Sequence, residues 1–250
     1  MKPAEIDIIY VPQGDKRAAL RLSQDLGVEM CEADGCPAVS HPTVVFAPDG
    51  VSLACGDLFV QGDFLRMAKR IKHGVVQREL LVKAARVKGA HESLKVFDAT
   101  AGLGEDSLLL AAAGFEVTLC EKNPVIAALL RDALQRGQTC AELAEPLARM
   151  TFIEGDSVNM LARNSGAFDV VYLDPMFPAR QKSASVKKKL QLFQMIEQPC
   201  ADESELFNAA LNAAARRVVV KRPAKGPYLA NAKHSYSIEG KAVRYDCYVC

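Results

Sequence analysis

The sequence predicts an α/β fold: a doubly wound, mostly parallel sheet that ends in an antiparallel C-terminal hairpin, preceded by a small N-terminal α/β domain. Three observations carry this. From Leu94 onward, short apolar strands alternate with helical stretches, the pattern of a parallel sheet with crossover helices. The last two strands are separated only by Glu239-Gly-Lys-Ala242, too short for a crossover and right for a hairpin. Half of the 250 residues are hydrophobic and 24% are charged, enough to bury a sizeable core and too apolar for a disordered chain.

The elements follow in order. Ile6–Val11 reads as a strand, and Asp15–Leu26 as a helix with apolar residues at 19, 22 and 26 and a stop at Gly27. Thr43–Phe46 and Val51–Cys55 flank a Pro-Asp-Gly turn and read as a hairpin. Gly62–Lys72 and Val75–Val87 read as basic helices, the second ended by Gly89. Lys95–Ala99, Phe115–Cys120, Met150–Glu154, Phe168–Leu173 and Arg217–Lys221 are the strands of the parallel sheet. Helices are expected at Asp106–Ala113, Pro124–Arg136, Val186–Ile196 and Ser204–Ala215, and the closing hairpin at Ser235–Ile238 and Val243–Val249. The expected division is 1–60 as the N-terminal domain, 61–93 as a basic helical connector and 94–250 as the main domain.

Charge is uneven beneath a net +1. Residues 95–178 carry a net −6, residues 179–250 a net +7, and Arg66–Lys95 holds nine Lys or Arg against Glu79 and Glu92. An acidic centre between basic flanks suits a cationic small molecule beside a polyanion. The eight cysteines are scattered and read mostly as small buried hydrophobes. The one metal-like spacing, Cys247-x-x-Cys250, falls on an expected strand, where residues three apart face opposite sides. The four histidines show no ligand spacing, so no metal is assigned. The apolar run Leu108–Phe115 is far short of the roughly 18 residues that span a bilayer. The N-terminus has acids where a signal peptide has its apolar core. A cytoplasmic protein with no membrane partner is expected.

Ligands of such sheets bind beyond the carboxyl ends of the strands. The first strand ends in Asp98-Ala-Thr-Ala-Gly102-Leu-Gly104-Glu105-Asp106, a glycine turn that lets a ligand approach the backbone. The second ends in Glu121, placed to accept from a ribose diol. The third ends in Gly155-Asp156-Ser157, where a carboxylate can take an adenine amino group. Carboxylates at Asp98, Glu105 and Asp106 would repel a pyrophosphate but suit a sulfonium and an ammonium. The set describes S-adenosylmethionine better than a nicotinamide dinucleotide.

The fourth strand ends in Asp174-Pro175-Met176-Phe177-Pro178. This resembles the Asp/Asn-Pro-Pro-aromatic turn of methyltransferases that modify exocyclic amines of nucleobases. Such an amine has its lone pair delocalised into the ring. Hydrogen bonds from its N–H groups to a carboxylate and a backbone carbonyl favour a pyramidal nitrogen, and Phe177 can stack on an extruded base. The same turn serves adenine N6 and guanine N2. Met176 replaces the second proline and Ala101 a common glycine.

The longer strings Tyr172–Pro178, Gln181–Ala184, Val186–Lys188, Asp98–Gly104, Glu121–Pro124 and Val218–Pro223 are similar to the ribosomal RNA small subunit methyltransferase J family. The resemblance covers most of 66–250. It implies a Rossmann-like class I S-adenosylmethionine-dependent methyltransferase acting on guanine-1516 N2 of 16S rRNA in the small ribosomal subunit. It further implies cofactor contacts at Glu105, Asp106, Glu121, Lys122, Asp156, Ser157 and Asp174, with Gly102, Gly104 and Asp98 forming the turn. Catalysis would rest on Asp174, Pro175, Met176 and Phe177. Lys182, Ser183, Lys187, Lys188 and Lys189 follow that turn and would meet RNA phosphates, with Lys221 and Arg222 facing the same rim.

Overall fold

A computed structural model describes residues 6–35, 39–89, 93–175, 191–197 and 203–250. The chain forms two compact units: one of Met1–Asp63, Asn123–Arg136 and Met176–Pro199, the other of Phe64–Lys122, Gly137–Pro175 and Cys200–Cys250.

The first unit is built on five strands: β1 (Asp7–Tyr10), β2 (Met30–Glu32), β3 (Thr43–Ala47), β4 (Gly50–Cys55) and β5 (Leu58–Gln61), in the order β2-β1-β3-β4-β5. β1 pairs in parallel with β2 and β3, and β3-β4-β5 is an antiparallel meander. Helix α1 (Lys16–Leu26) buries Ala19 and Leu22. It starts where Asp15 accepts from the Ala18 N–H at 2.9 Å, and it stops at left-handed Gly27. Two strands, β2 and β5, went unpredicted. β2 is a three-residue edge strand with little burial and so no alternation to read.

The second unit starts with a 3-10 turn (Phe64–Met67) and short helices α2 (His73–Val76) and α3 (Leu80–Ala85). This corrects the expectation of two long basic helices. Lys72, Glu79 and Arg86 all adopt extended ψ near 130°, so the segment folds as separate single turns. Gly74 and β-branched Val75 and Val76 weaken any longer helix. Then come β6 (Lys95–Asp98), α4 (Glu105–Ala112), β7 (Glu116–Glu121), α5 (Pro124–Gly137, grouped with the first unit), α6 (Ala141–Ala148), β8 (Met150–Glu154), α7 (Ser157–Arg163), β9 (Phe168–Leu173), α8 (described over 191–196, also in the first unit), α9 (Glu203–Ala213), β10 (Ala214–Pro223), β11 (Tyr236–Glu239) and β12 (Val243–Val249).

The sheet order is β11-β12-β10-β9-β6-β7-β8. The strands from β10 across to β8 are parallel, and β12 and β11 close the edge as an antiparallel hairpin. Side chains alternate across it. Phe97, Val171, Val218 and Val220 pack with Leu206, Phe207 and Ala210 of α9. The other face carries α3 and α4, reached from β10 by Arg217 and Lys221. Helix α6 was missed because Pro146 lies inside it, and α7 because it is only seven residues long.

Candidate active site at the carboxyl ends of the sheet

Every described residue of the candidate site belongs to the second unit. After β6 the chain turns through Gly102 (φ 56°) and Gly104 (φ 75°), which caps α4 in a left-handed conformation that favours glycine. The Asp98 side chain is buried beneath this turn. It accepts from the Thr100 N–H at 3.1 Å and from the Ser107 hydroxyl at 2.6 Å. Burial, with the Asp106 and Asp174 carboxylates nearby, pushes its carboxyl up to about 7 against those two donors.

Glu121 ends β7, largely buried, and accepts from the Gly102 N–H at 2.9 Å. The carboxylate expected to meet a ribose therefore also fixes the glycine turn. Asp156 ends the next connection. One of its oxygens caps α7 by accepting from Val158 and Asn159, and the other pairs with Lys122 at 2.7 Å. Lys122 is the main reason its carboxyl titrates below the usual range. Ser157 opens α7, and Glu105 lies exposed in the first turn of α4.

Asp106 and Asp174 meet across Lys221. The ammonium donates to Asp106 Oδ2 at 2.6 Å and to Asp174 Oδ2 at 2.7 Å. The Tyr172 hydroxyl also donates to Asp106, at 2.6 Å, and the Asp174 N–H donates to Thr100 Oγ1 at 2.6 Å. Burial opposes the charge on Lys221, but the two carboxylates outweigh it and hold the pKa well above the ordinary lysine value. Burial likewise opposes the Asp106 carboxylate, and Lys221 reverses the effect, holding it below the usual range. Pro175 is buried directly behind Asp174.

Lys221 thus lies at the site, but between two carboxylates. Arg222 does not share its rim, which corrects the sequence expectation. Neighbouring strand residues point to opposite faces. Arg222 is 1% exposed, on the α9 side, where its Nε donates to the Pro227 carbonyl at 2.8 Å and Glu203 lies 3.9 Å away. Met176, Phe177, Lys182, Ser183, Lys187, Lys188 and Lys189 lie outside the described residues. Thr100, Ser107 and Tyr172 were missed as site residues. A hydroxyl inside an apolar strand needs a partner, and Tyr172, two residues before Asp174, carried that signal.

The donors and acceptors present fit S-adenosylmethionine. Carboxylates stand at three strand ends, Glu121, Asp156 and Asp174, where they suit a sulfonium, while buried Asp98 braces the glycine turn from beneath. Space is open over the backbone as well: a Cβ at Gly102 would meet only the Thr100 carbonyl, at 4.0 Å, and one at Gly155 would meet nothing within 4 Å. This sheet order with acids around a glycine turn defines an S-adenosylmethionine-dependent methyltransferase, and the family described as "Putative SAM-dependent methyltransferase" matches residues 51–250. A crystal structure of a SAM-dependent methyltransferase from Neisseria gonorrhoeae superposes with a TM-score of 0.73 at 29% identity, covering 97% of this chain and 95% of that one.

Among curated relatives, the ribosomal RNA small subunit methyltransferase J of Hahella chejuensis is 40% identical over 255 residues, spanning 97% of this chain and 95% of its own. The protein of the same name from Thioalkalivibrio sulfidiphilus is 40% identical over 258 residues, spanning 100% and 99%. The chain belongs to the ribosomal RNA small subunit methyltransferase J family.

Proposed function

We propose that this protein transfers a methyl group to the exocyclic N2 of a guanine of 16S rRNA in the small ribosomal subunit, the guanine-1516 position of the family. The observation that carries the reading is the placement of Asp174. Its backbone is tied to Thr100 and its carboxylate to Lys221, at the head of the sheet beside the glycine turn.

S-adenosylmethionine supplies an electrophilic methyl group on a sulfonium. Glu121, Asp156 with Ser157, and the Gly102–Gly104 turn would hold it, with Glu105, Asp106 and Lys122 nearby. Asp174 does the chemistry's positioning. Its carboxylate accepts an N–H of the base amine, which favours the pyramidal nitrogen that can react. When that lone pair forms its new bond to the methyl carbon, the carbon–sulfur bond would break to leave a neutral thioether, and the positive charge passes to the nitrogen. Asp174 balances the charge until the proton leaves to water. Lys221 donates to the Asp174 carboxylate at 2.7 Å and holds it in place, and we assign it to this role in place of a phosphate contact. The Met176 carbonyl would take the second N–H and Phe177 would stack on the ring. Lys182, Ser183 and Lys187–Lys189 would meet the flanking phosphates.

The remaining expectations stand with this reading: residues 94–250 as the catalytic domain, 61–93 as a basic connector, 1–60 as an accessory domain, a cytoplasmic location and a reaction without a metal. The described residues contain no helix long and apolar enough to cross a membrane.

The test is to incubate 16S rRNA and small subunits with methyl-labelled S-adenosylmethionine and to map the labelled nucleotide. Label on guanine N2 is expected. Label on adenine N6 would overturn the base assignment. RNA binding without transfer would make the protein a silent assembly factor.

A further inference from the structure

We infer that a basic groove at the amino ends of the parallel strands is a second RNA-binding surface, gripping the substrate's phosphate backbone away from the reacting base. The inference rests on the proposed RNA substrate but not on any residue of the active site.

The groove has a volume of about 880 Å³ and is lined by Lys83 of α3, Arg86 and Lys88 just beyond it, Arg217 of β10, and Tyr236 of β11, together with the buried Leu94 and Phe115. No Asp or Glu is among its described lining residues. Lys83 in the last turn of α3, Arg86 which caps it in an extended conformation, and Lys88 are all exposed, and the Arg86 guanidinium donates to Gln77 Oε1. Arg217 builds the wall. Its Nη1 donates to the Ala84 and Arg86 carbonyls at 2.7 Å each, closing the end of α3, while its buried Nε has no hydrogen-bond partner among the described residues. Its guanidinium lies 5.3 Å from the centre of the Tyr236 ring, and Tyr236 is 38% exposed. An aromatic ring backed by a cation, in a basic channel, is how single-stranded nucleic acid is commonly held.

Basic side chains elsewhere on this sheet are used differently. Lys221 lies between Asp106 and Asp174, and buried Arg244 pairs with Asp246 at 2.9 Å and donates to three backbone carbonyls. Among the described lining residues four cations converge with no acid, an arrangement that repels itself and attracts a polyanion. The location is also distinct. Leu94 and Phe115 precede β6 and β7, whereas Asp98 and Glu121 end those strands. Six residues of extended chain from Leu94 to Thr100 place the groove roughly 20 Å from the reacting end. RNA must therefore extend several nucleotides past the target, or fold back, to fill it.

The test compares two RNAs containing the target guanine: a fragment with one nucleotide on either side, and a folded 16S domain. The protein is the full chain or a variant carrying Lys83→Ala, Arg86→Ala and Lys88→Ala, with Lys88→Glu alone as a second variant. Both variants touch only exposed side chains. The folded RNA should bind the triple variant more weakly, with the slope of log affinity against log salt reduced by about 0.7–0.9 for each phosphate that the variant no longer neutralises. Methyl transfer to the short fragment should keep the parent kcat/KM. Lys88→Glu should show the same pattern more weakly.

Unchanged binding of the folded RNA would make the groove a solvated surface and overturn the inference. An equal fall in affinity on both RNAs would also overturn it, because the groove would then act at the active site or on folding. Parent protein that methylates neither RNA would instead defeat the proposed function. Intact RNA binding by the triple variant, together with weakened binding of polyglutamate, would overturn the inference in favour of an acidic protein as the occupant.

Discussion

The two ends of the seven-stranded sheet treat charge in opposite ways. At the carboxyl ends, Asp98, Asp106, Glu121, Asp156 and Asp174 are drawn into partly or wholly buried contacts with hydroxyls, backbone N–H groups or lysines. At the amino ends, Lys83, Arg86 and Lys88 stand exposed beside one another. Acids at the first end are fixed in direction, as the pyramidalisation of an amine requires. The cations of the groove at the second end present exposed side chains, which suits repeating phosphates that need attraction more than aim. One sheet can serve both because the alternation of side chains and the polarity of the strands separate the two chemistries without a linker.

This contrast can be broken or sharpened by experiment. The largest effect concerns Asp98. Its carboxyl ionises near 3.8 in the unfolded chain and about 7 in the fold. Between those values the folded state holds a proton that the unfolded state has released, so native stability falls as pH rises from about 4 to about 7, and not further above. Asp98→Asn should remove that fall, a difference on the order of 4 kcal/mol across the window. Parallel stability curves for parent and variant, from denaturant unfolding at several pH values, would show that the buried acid is not protonated.

Asp174→Ala should lower single-turnover methyl transfer about 10²–10³-fold, since it removes a charge-stabilising group at the developing cation. RNA affinity should change far less, and cofactor binding is to be measured separately by calorimetry. A folded, cofactor-binding variant working at the parent rate would remove this turn from the active site.

Lys221→Met should come next. It leaves Asp106 and Asp174 facing each other with no ammonium between them, costing roughly 3 kcal/mol of stability. It should also move the acid limb of the pH–rate profile upward, because a carboxylate beside another gains protons more easily. Lys221→Arg should restore part of both. A variant that altered only the salt dependence of RNA binding would return Lys221 to a phosphate role.

The smallest effect is at Glu121. Glu121→Ala should weaken S-adenosylmethionine binding by about 1–3 kcal/mol through removal of a charged acceptor and of the tie to Gly102. Unchanged affinity by calorimetry would leave that tie as its only function.

Much of this was legible in the sequence. The parallel strands, the closing hairpin and the acids at strand ends follow from alternation, turn residues and local order, and all are found where the sequence places them. Contacts that depend on distant pairing were not legible. Lys221 was readable as a cation at a strand end, but its partners lie 47 and 115 residues away. Arg222 was assigned to the same rim because it is a neighbour in sequence, although a strand sends neighbours to opposite faces. The segment 64–86 failed for a different reason: its apolar residues keep helical spacing while its backbone breaks at Lys72, Glu79 and Arg86.

Strand β10 also has a consequence for measurement. It is clamped by hydrogen bonds on both sides, to β9 in parallel and to β12 in antiparallel register, so it cannot slide. Arg217 and Lys221 stand on the same face of it, four residues apart, a span of about 13 Å. The strand is therefore a fixed gauge between the wall of the groove and the lysine of the candidate site. A substrate engaging both would be selected by length, with a tolerance set by the flexibility of its sugars and not by that of the enzyme.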